Sequence, residues 1–176
     1  SSLTQMGKMF GFEVIALDAE YIDDIRVSST KIRDAIINGE IDHATMLLKN
    51  SFPMSGLVVR GDQFGRKIGY PTANLKLEND LKIIPANGAY AVWANTQDGR
   101  KFKAMLNIGI RPTVTMSEDV TIEVFLIDFD GDLYSQILNV EFVKRIRDEK
   151  KFEDFKDLKA ALKNDEEVTR SILSIS

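Results

Sequence analysis

Short runs of β-branched and aromatic residues recur along the chain from residue 52 onward, and they predict β-strands. Glycine-containing turns separate several runs, and the sequences QDGR (97–100) and DFDGDLY (128–134) predict hairpins. Successive hairpins form an antiparallel meander, and five or more strands usually close into a barrel because closure removes the exposed edges. The predicted strands cover residues 57–60, 89–95, 101–109, 121–128 and 137–143.

The hydrophobic pattern before residue 51 is different and predicts a strand followed by two helices. The apolar run FEVIAL at 12–17 predicts a buried strand. A helix is predicted to begin after Ser28 or Ser29, either of which can cap it, and to end at Asn38-Gly39. Apolar residues at helical spacing predict a second helix within 40–50.

The tail of the chain, residues 152–173, has the spacing of an amphipathic helix. We expect its apolar stripe to pack on the outside of the barrel. The stripe consists of Phe155, Leu158, Ala161 and Leu162.

Composition excludes several kinds of chemistry. The 176 residues, 44% of them hydrophobic, suffice for one globular domain with a small appendage. Cysteine is absent and His43 is the only histidine, so disulfides, thiolates and histidine-rich metal sites are excluded. The net charge of −4 argues against nucleic-acid binding, and no apolar run is long enough to span a membrane. We expect an intracellular, cytoplasmic protein.

A glycine-rich basic segment at 60–69 is the first candidate site. Gly61, Gly65 and Gly69 would let backbone N–H groups approach an anion, and Arg66 and Lys67 would add positive charge. A flexible basic hairpin loop explains the composition equally simply, and composition alone favours it.

The sequence PTAN, residues 71–74, follows directly. Pro71 fixes the direction of the chain, and an extended backbone would place Thr72 and Asn74 on one side and Ala73 on the other. Two neutral oxygen ligands would suit Mg²⁺ whose remaining ligands are phosphate oxygens and water. A turn in which the two side chains cap local backbone groups remains the alternative.

Glu123 is the third candidate. Ile122, Val124 and Leu126 alternate onto one face of a strand, which leaves Glu123 on the other face beside Phe125. A carboxylate in such apolar surroundings is a plausible general base, although an exposed strand glutamate is commoner.

Taken together, these segments resemble the riboflavin kinases (flavokinases), especially the C-terminal module of bacterial bifunctional FAD synthetases. The resemblance implies a six-stranded antiparallel, Greek-key-like barrel with a C-terminal helix, which phosphorylates riboflavin with ATP to give FMN and ADP. The matching sequences occur in the order of the family, and they are GRKIGYPTANL, PANGAYAVW, NIGIRPTV, TIEVFLIDFDGDLY and VEFVKRIRDEKKF.

The resemblance also implies residue roles. Glu123 would be the general base, Thr72 and Asn74 would hold Mg²⁺ or another divalent ion, and the segment 145–152 would close over the flavin. The family often has histidine at the position of Phe125, so a nucleotide contact there is in doubt. The implied ATP-binding residues are Gly61, Gly65, Arg66, Lys67, Gly69, Pro71, Thr72 and Asn74, and the flavin-binding residues are Arg147 and Phe152.

The sequence VSSTKIR (27–33) resembles a late motif of the adenylyltransferase half of FAD synthetases. We therefore expect residues 1–50 to be a remnant of that half and residues 51–176 to be the kinase domain. The His-x-Gly-His element of the adenylyltransferase is missing, so we predict no FMN adenylation by this chain. Ser28, Ser29 and Arg33 would then serve in capping and packing.

Two other functions fit a β-barrel of this kind. One is a non-catalytic module that binds a nucleotide or single-stranded nucleic acid, although the acidic net charge opposes it. The other is a structural domain of a larger assembly. The sequence gives no oligomeric state.

Overall fold

A computed structural model describes residues 2–15, 21–22, 25–61, 64–78, 83–112, 118–152 and 154–175. The N-terminal part contains three helices and a two-stranded antiparallel pair. In chain order these elements are α1 (Ser2–Phe10), β1 (Tyr21–Ile22), β2 (Ile25–Arg26), α2 (Ser29–Ile37) and α3 (Ile41–Leu48).

Six antiparallel strands then form a closed barrel in the order β3-β4-β7-β6-β5-β8. The one-turn helix α4 (Phe64–Lys67) lies between the first two strands, and α5 (Phe155–Ile175) ends the chain. The strands are β3 (Phe52–Val59), β4 (Ala73–Leu77), β5 (Gly88–Asn95), β6 (Lys101–Pro112), β7 (Glu118–Leu126) and β8 (Ile137–Asp148). The predicted six-stranded barrel and C-terminal helix are confirmed.

The barrel interior is filled by alternating apolar side chains. Tyr90 and Phe142 are its largest buried residues, and their rings meet edge to face with centroids 5.2 Å apart. On β7, Ile122, Val124 and Leu126 all point into this core, as their alternation predicts. The intervening residues of each strand therefore face outward, where a site can form.

The order of the strands is not a meander, and one predicted hairpin is wrong. The sequence QDGR does join the neighbours β5 and β6, with Gly99 at φ +84° in the turn. The sequence DFDGDLY instead connects β7 to β8, which are not adjacent because β8 pairs with β3 and β5. The connection runs beside β3, where Val58 exchanges backbone hydrogen bonds with Ser135 and Gln136.

Helix α5 lies across β5, β6 and β8. The predicted stripe is confirmed at Leu162, which packs against the cluster of Tyr70, Met105 and Ile127, but it is wrong at Phe155, which is 62% exposed. The most deeply buried positions are Asp165, Thr169 and Leu173, spaced four residues apart. Two of these three residues are polar, so hydrophobicity alone did not locate this part of the packing face.

The two predicted helices before the barrel are confirmed, but the predicted strand at 12–17 is wrong in its described part. Ser28 caps α2 by accepting a hydrogen bond from the backbone N–H of Lys31. Residues 12–15 are not in a strand, and Phe12 and Ile15 are 50% and 75% exposed. Residues 16–17 lie outside the described residues. None of the described helices is long and apolar enough to cross a membrane.

Candidate active site

The glycine-rich segment ends in a compact turn that only glycine can form. Helix α4 is followed by hydrogen bonds from the N–H groups of Ile68 and Tyr70 to the carbonyl oxygen of Gly65. A side chain at Gly65 would overlap the carbonyl oxygen of Tyr70, and Gly69 has a φ of +87°. The turn therefore fixes the point at which the chain enters β4.

Thr72, Asn74 and Glu123 come together on the outer face of the barrel. Ala73 packs against the core, which leaves its two neighbours pointing outward. Asn74 lies directly opposite Glu123 in the β4–β7 pair, and the Thr72 hydroxyl donates a hydrogen bond to the Glu123 carboxylate with Oγ1–Oε2 at 3.1 Å. The structure thus joins residues 51 positions apart in sequence into one polar cluster.

Gly61 and Asn107 lie on two sides of this polar cluster. A side chain at Gly61 would overlap the side-chain amide of Asn74, so glycine lets the two segments approach. Asn107 on β6 is opposite Glu123 across the β6–β7 pair and also faces outward. Sequence reasoning missed Asn107, although its position between the core residues Leu106 and Ile108 gives the same alternation signal.

A cleft of about 260 Å³, the main cleft, opens beside the cluster. Its apolar wall contains the rings of Tyr70 and Phe125, whose centroids are 5.0 Å apart. Six predicted site residues line it, namely Gly65, Thr72, Asn74, Glu123, Arg147 and Phe152. The lining residues that sequence reasoning missed include Ile68, Tyr70, Met105, Asn107, Glu149, Lys150 and Asp165.

Tyr70, which lines the main cleft, has a titratable phenol close to the polar cluster. Burial, together with a hydrogen bond to the Glu166 carboxylate, raises the pKa of its phenol. Tyr70 therefore stays protonated at neutral pH and cannot serve as a base there.

The other carboxylates at the main cleft have bonds of their own. Asp165 forms an ion pair with Arg147, with Nη2–Oδ2 at 2.7 Å. Glu149 Oε1 accepts a hydrogen bond of 3.4 Å from the backbone N–H of Ile110. Glu123 differs from Asp165 and Glu149 in its position, because its hydrogen-bond partner Thr72 also borders a second cavity.

A second cleft of about 310 Å³ lies on the far side of Thr72, which lines both cavities. Arg66 and Pro71 line it together with Phe129, Asp130 and other residues of the β7–β8 connection. The connection that the sequence predicted as a plain hairpin is therefore one wall of a cavity. Tyr134 and Gly131 belong to the same wall.

Three predicted residues are not placed in either cleft. Gly61 lines neither the main nor the second cleft, although it lies against Asn74. Gly69 lines neither the main nor the second cleft. The side chain of Lys67 lies outside the described residues. Within the described part of the chain, no group of three or more histidine, aspartate or glutamate side chains is arranged to hold a metal. The oxygen donors of Thr72, Asn74 and Glu123 are nevertheless of the type that Mg²⁺ prefers.

Comparison with known proteins identifies the barrel. The family model described as flavokinase (riboflavin kinase) matches residues 48–173. A bifunctional riboflavin kinase/FMN adenylyltransferase from Haemophilus influenzae is 37% identical over 172 residues, which are 98% of this chain and 55% of that protein. The chain thus spans about half the length of such relatives.

Two solved structures share the fold. A crystal structure described as a macrolide-efflux protein from Streptococcus pneumoniae has a TM-score of 0.84 and 39% identity, covering 94% of this chain and 53% of that one. Riboflavin kinase from Trypanosoma brucei has a TM-score of 0.54 and 24% identity, covering 71% of this chain and 78% of that one. The match to the family model, together with the bacterial relatives, shows that the chain belongs to the riboflavin kinase family.

Proposed function

We propose that this chain transfers the γ-phosphoryl group of ATP to the 5′-hydroxyl of the ribityl chain of riboflavin, giving FMN and ADP. The observation that carries the proposal is the hydrogen bond between Thr72 and Glu123 at the boundary between two clefts. A kinase needs two substrate cavities that meet at one point, with a carboxylate positioned there to accept a proton.

The two cavities differ in a way that suits the two substrates. The main cleft has a wall of aromatic side chains, Tyr70, Phe125 and Phe152, which fits the planar isoalloxazine ring. The second cleft contains Arg66 of the glycine-rich segment, together with Pro71 and Thr72, which fits a polyphosphate. We therefore assign riboflavin to the main cleft and ATP to the second cleft.

The oxygen donors at the boundary fit a divalent cation. The Thr72 hydroxyl, one residue before β4, and the Asn74 amide oxygen on β4 are neutral, hard ligands beside Glu123. Mg²⁺ held there would neutralise charge on the phosphate oxygens, and other divalent ions that prefer oxygen ligands could replace it. Neutral protein ligands leave most of the charge of the ion available to the phosphates.

Glu123 would act on the attacking hydroxyl. The ribityl oxygen forms a bond to the γ-phosphorus while the bond from that phosphorus to the bridging oxygen of ADP breaks. The proton of the hydroxyl passes to the Glu123 carboxylate, which the Thr72 hydroxyl and the strand pairing hold in place. Asn107, opposite Glu123, would restrict the carboxylate from the other side.

A barrel that only binds a nucleotide or nucleic acid is the alternative. It does not explain why a half-buried carboxylate lies where two cavities meet. The proposal includes small-molecule substrates alone, no nucleic-acid partner and a cytoplasmic location, where ATP is available. The FMN adenylyltransferase activity named for the relatives is not proposed for this chain.

The test is FMN formation by the purified chain. Riboflavin, ATP and Mg²⁺ are incubated with the protein, and FMN and ADP are separated by chromatography. We expect equal amounts of the two products, and no FMN when EDTA removes the divalent ion. Absence of FMN with both substrates present would show the proposal to be wrong. RNA affinity that falls steeply with salt would favour the binding module instead.

A further inference from the structure

Asp165 is a buried acid at the main cleft that the proposed reaction does not use. It lies in the middle of α5, and its side chain is only 3% exposed. A buried carboxylate is costly unless it is paired and hydrogen-bonded. Its position therefore indicates a specific partner rather than a chance contact of a surface helix.

That partner is Arg147, near the end of β8. The guanidinium binds Asp165 in a bidentate manner, with Nε 3.1 and 3.0 Å from the two carboxylate oxygens and Nη2 2.7 Å from Oδ2. Bidentate pairs fix the plane of the guanidinium as well as its position. Helix α5 thus determines where the Arg147 side chain lies.

The guanidinium in turn contacts Phe152 at the edge of the main cleft. Arg147 Cζ is 5.7 Å from the centroid of the Phe152 ring, a cation–π distance. The ammonium of Lys150 lies 5.5 Å from the same centroid. Asp165, Arg147 and Phe152 all line the main cleft, so the contacts form one connected row along its wall.

The donors of Arg147 are only partly used. A guanidinium has five N–H groups. Among the described residues, Nε and one N–H of Nη2 point to Asp165, and one N–H of Nη1 points to the carbonyl oxygen of Asp148. One N–H on each terminal nitrogen is left to donate to an acceptor in the cleft.

We infer that Asp165 is a positioning residue for riboflavin, which acts by holding Arg147 so that its remaining N–H groups meet the acceptor edge of the planar ring. The inference rests on the proposed function, since it assigns riboflavin to the main cleft. Asp165 itself does not touch the reacting atoms. Its effect is confined to one substrate, because neither Asp165 nor Arg147 lines the second cleft.

The same helix offers a matched control. Arg170 forms a bidentate pair with Asp128, with both N–O distances at 2.7 Å. This pair also ties α5 to the barrel, but neither residue lines the main or the second cleft. Asp128→Asn therefore removes an ion pair of α5 without changing the wall of a cleft.

The experiment compares Asp165→Asn with Asp128→Asn in two assays. Riboflavin binding is followed by flavin fluorescence, and the KM for ATP is taken from FMN formation. We expect Asp165→Asn to weaken riboflavin binding about tenfold or more, with the KM for ATP within about twofold of wild type. Asp128→Asn should leave both values unchanged.

Arg147→Lys provides a second variant that keeps the charge and loses the bidentate geometry. It should weaken riboflavin binding by a similar factor, and adding Asp165→Asn to it should cause little further loss. The inference is overturned if Asp165→Asn binds riboflavin as wild type does, or if both substrates are weakened equally. If Asp165→Asn does not fold, riboflavin binding and the KM for ATP are compared for Arg147→Lys alone. Wild-type riboflavin binding by that variant, or equal weakening of both substrates, then overturns the inference.

The outcomes also separate this inference from the proposed function. A wild-type chain that binds riboflavin but forms no FMN contradicts the kinase reaction alone, and the binding comparison still tests Asp165. A wild-type chain that binds no riboflavin contradicts both.

Discussion

Thr169 has a buried hydroxyl whose oxygen finds no hydrogen-bond partner within the described part of the chain. Burying an unpaired polar group costs free energy, and valine has the same shape without the hydroxyl. We expect Thr169→Val to leave the free energy of unfolding unchanged or raise it by up to about 2 kcal/mol, measured by urea denaturation.

Thr96 supplies the control for Thr169. It is also buried, but its hydroxyl bonds to Asp98 and to the carbonyl oxygen of Arg100. Thr96→Val should therefore lower the free energy of unfolding by about 1–2 kcal/mol. Equal destabilisation by the two substitutions would contradict this account of Thr169.

At the level of single residues, the sequence predicted the polar cluster better than its surroundings. The alternation around Glu123 and around Ala73 was enough to place Thr72, Asn74 and Glu123 on outward faces. Asp165 was not predicted, because a charged residue within a helical pattern is normally assigned to the exposed face. Its burial depends on Arg147, which the sequence alone does not place near it.

An ion pair between Arg170 and Asp128 connects helix α5 to the turn after strand β7. The hydrogen bond from Arg170 holds the pKa of the Asp128 carboxyl below its usual range. A carboxylate with a lowered pKa in the folded state stabilises the fold above its unfolded pKa of about 3.9, and this stabilisation is lost as the pH falls through the folded pKa.

We therefore expect wild type to have a higher melting temperature than Asp128→Asn at pH 7, with a gap that closes as the pH falls below about 4. Because Asp128 is exposed, the gap should be small and should shrink at about 1 M salt. Asp130→Asn, two residues away and without an ion pair among the described residues, should show no such gap. A gap independent of pH would rule out the ion pair as its cause.

Elements were predicted well where local signals decide them and poorly where long-range packing does. The QDGR turn and the Ser28 cap are local, and both were confirmed. The run FEVIAL has the composition of a strand, but residues 12–15 pair with no strand among the described residues. A strand requires a neighbour, which composition does not supply.

The molecule as a whole owes its two clefts to the closure of the barrel. The connection from β7 to β8 lines one cleft, and α5 with the segment after β8 lines the other. These walls come from parts of the chain that are distant in sequence. Residue types and alternation could therefore predict a barrel and the outward faces of Thr72, Asn74 and Glu123, and the family resemblance placed these three residues in one site. None of these signals predicted the cavities.

The central claim is that Glu123 accepts the proton of the riboflavin hydroxyl, and its most direct test is the kcat of Glu123→Gln. Glu141→Gln is the matched control, because Glu141 lies on a barrel strand, pairs with Lys101 and lines neither the main nor the second cleft. With both substrates saturating, we expect Glu123→Gln to lower kcat by about 10²–10⁴ while riboflavin binding persists, and Glu141→Gln to match wild type. A Glu123→Gln kcat within about threefold of wild type would contradict the account.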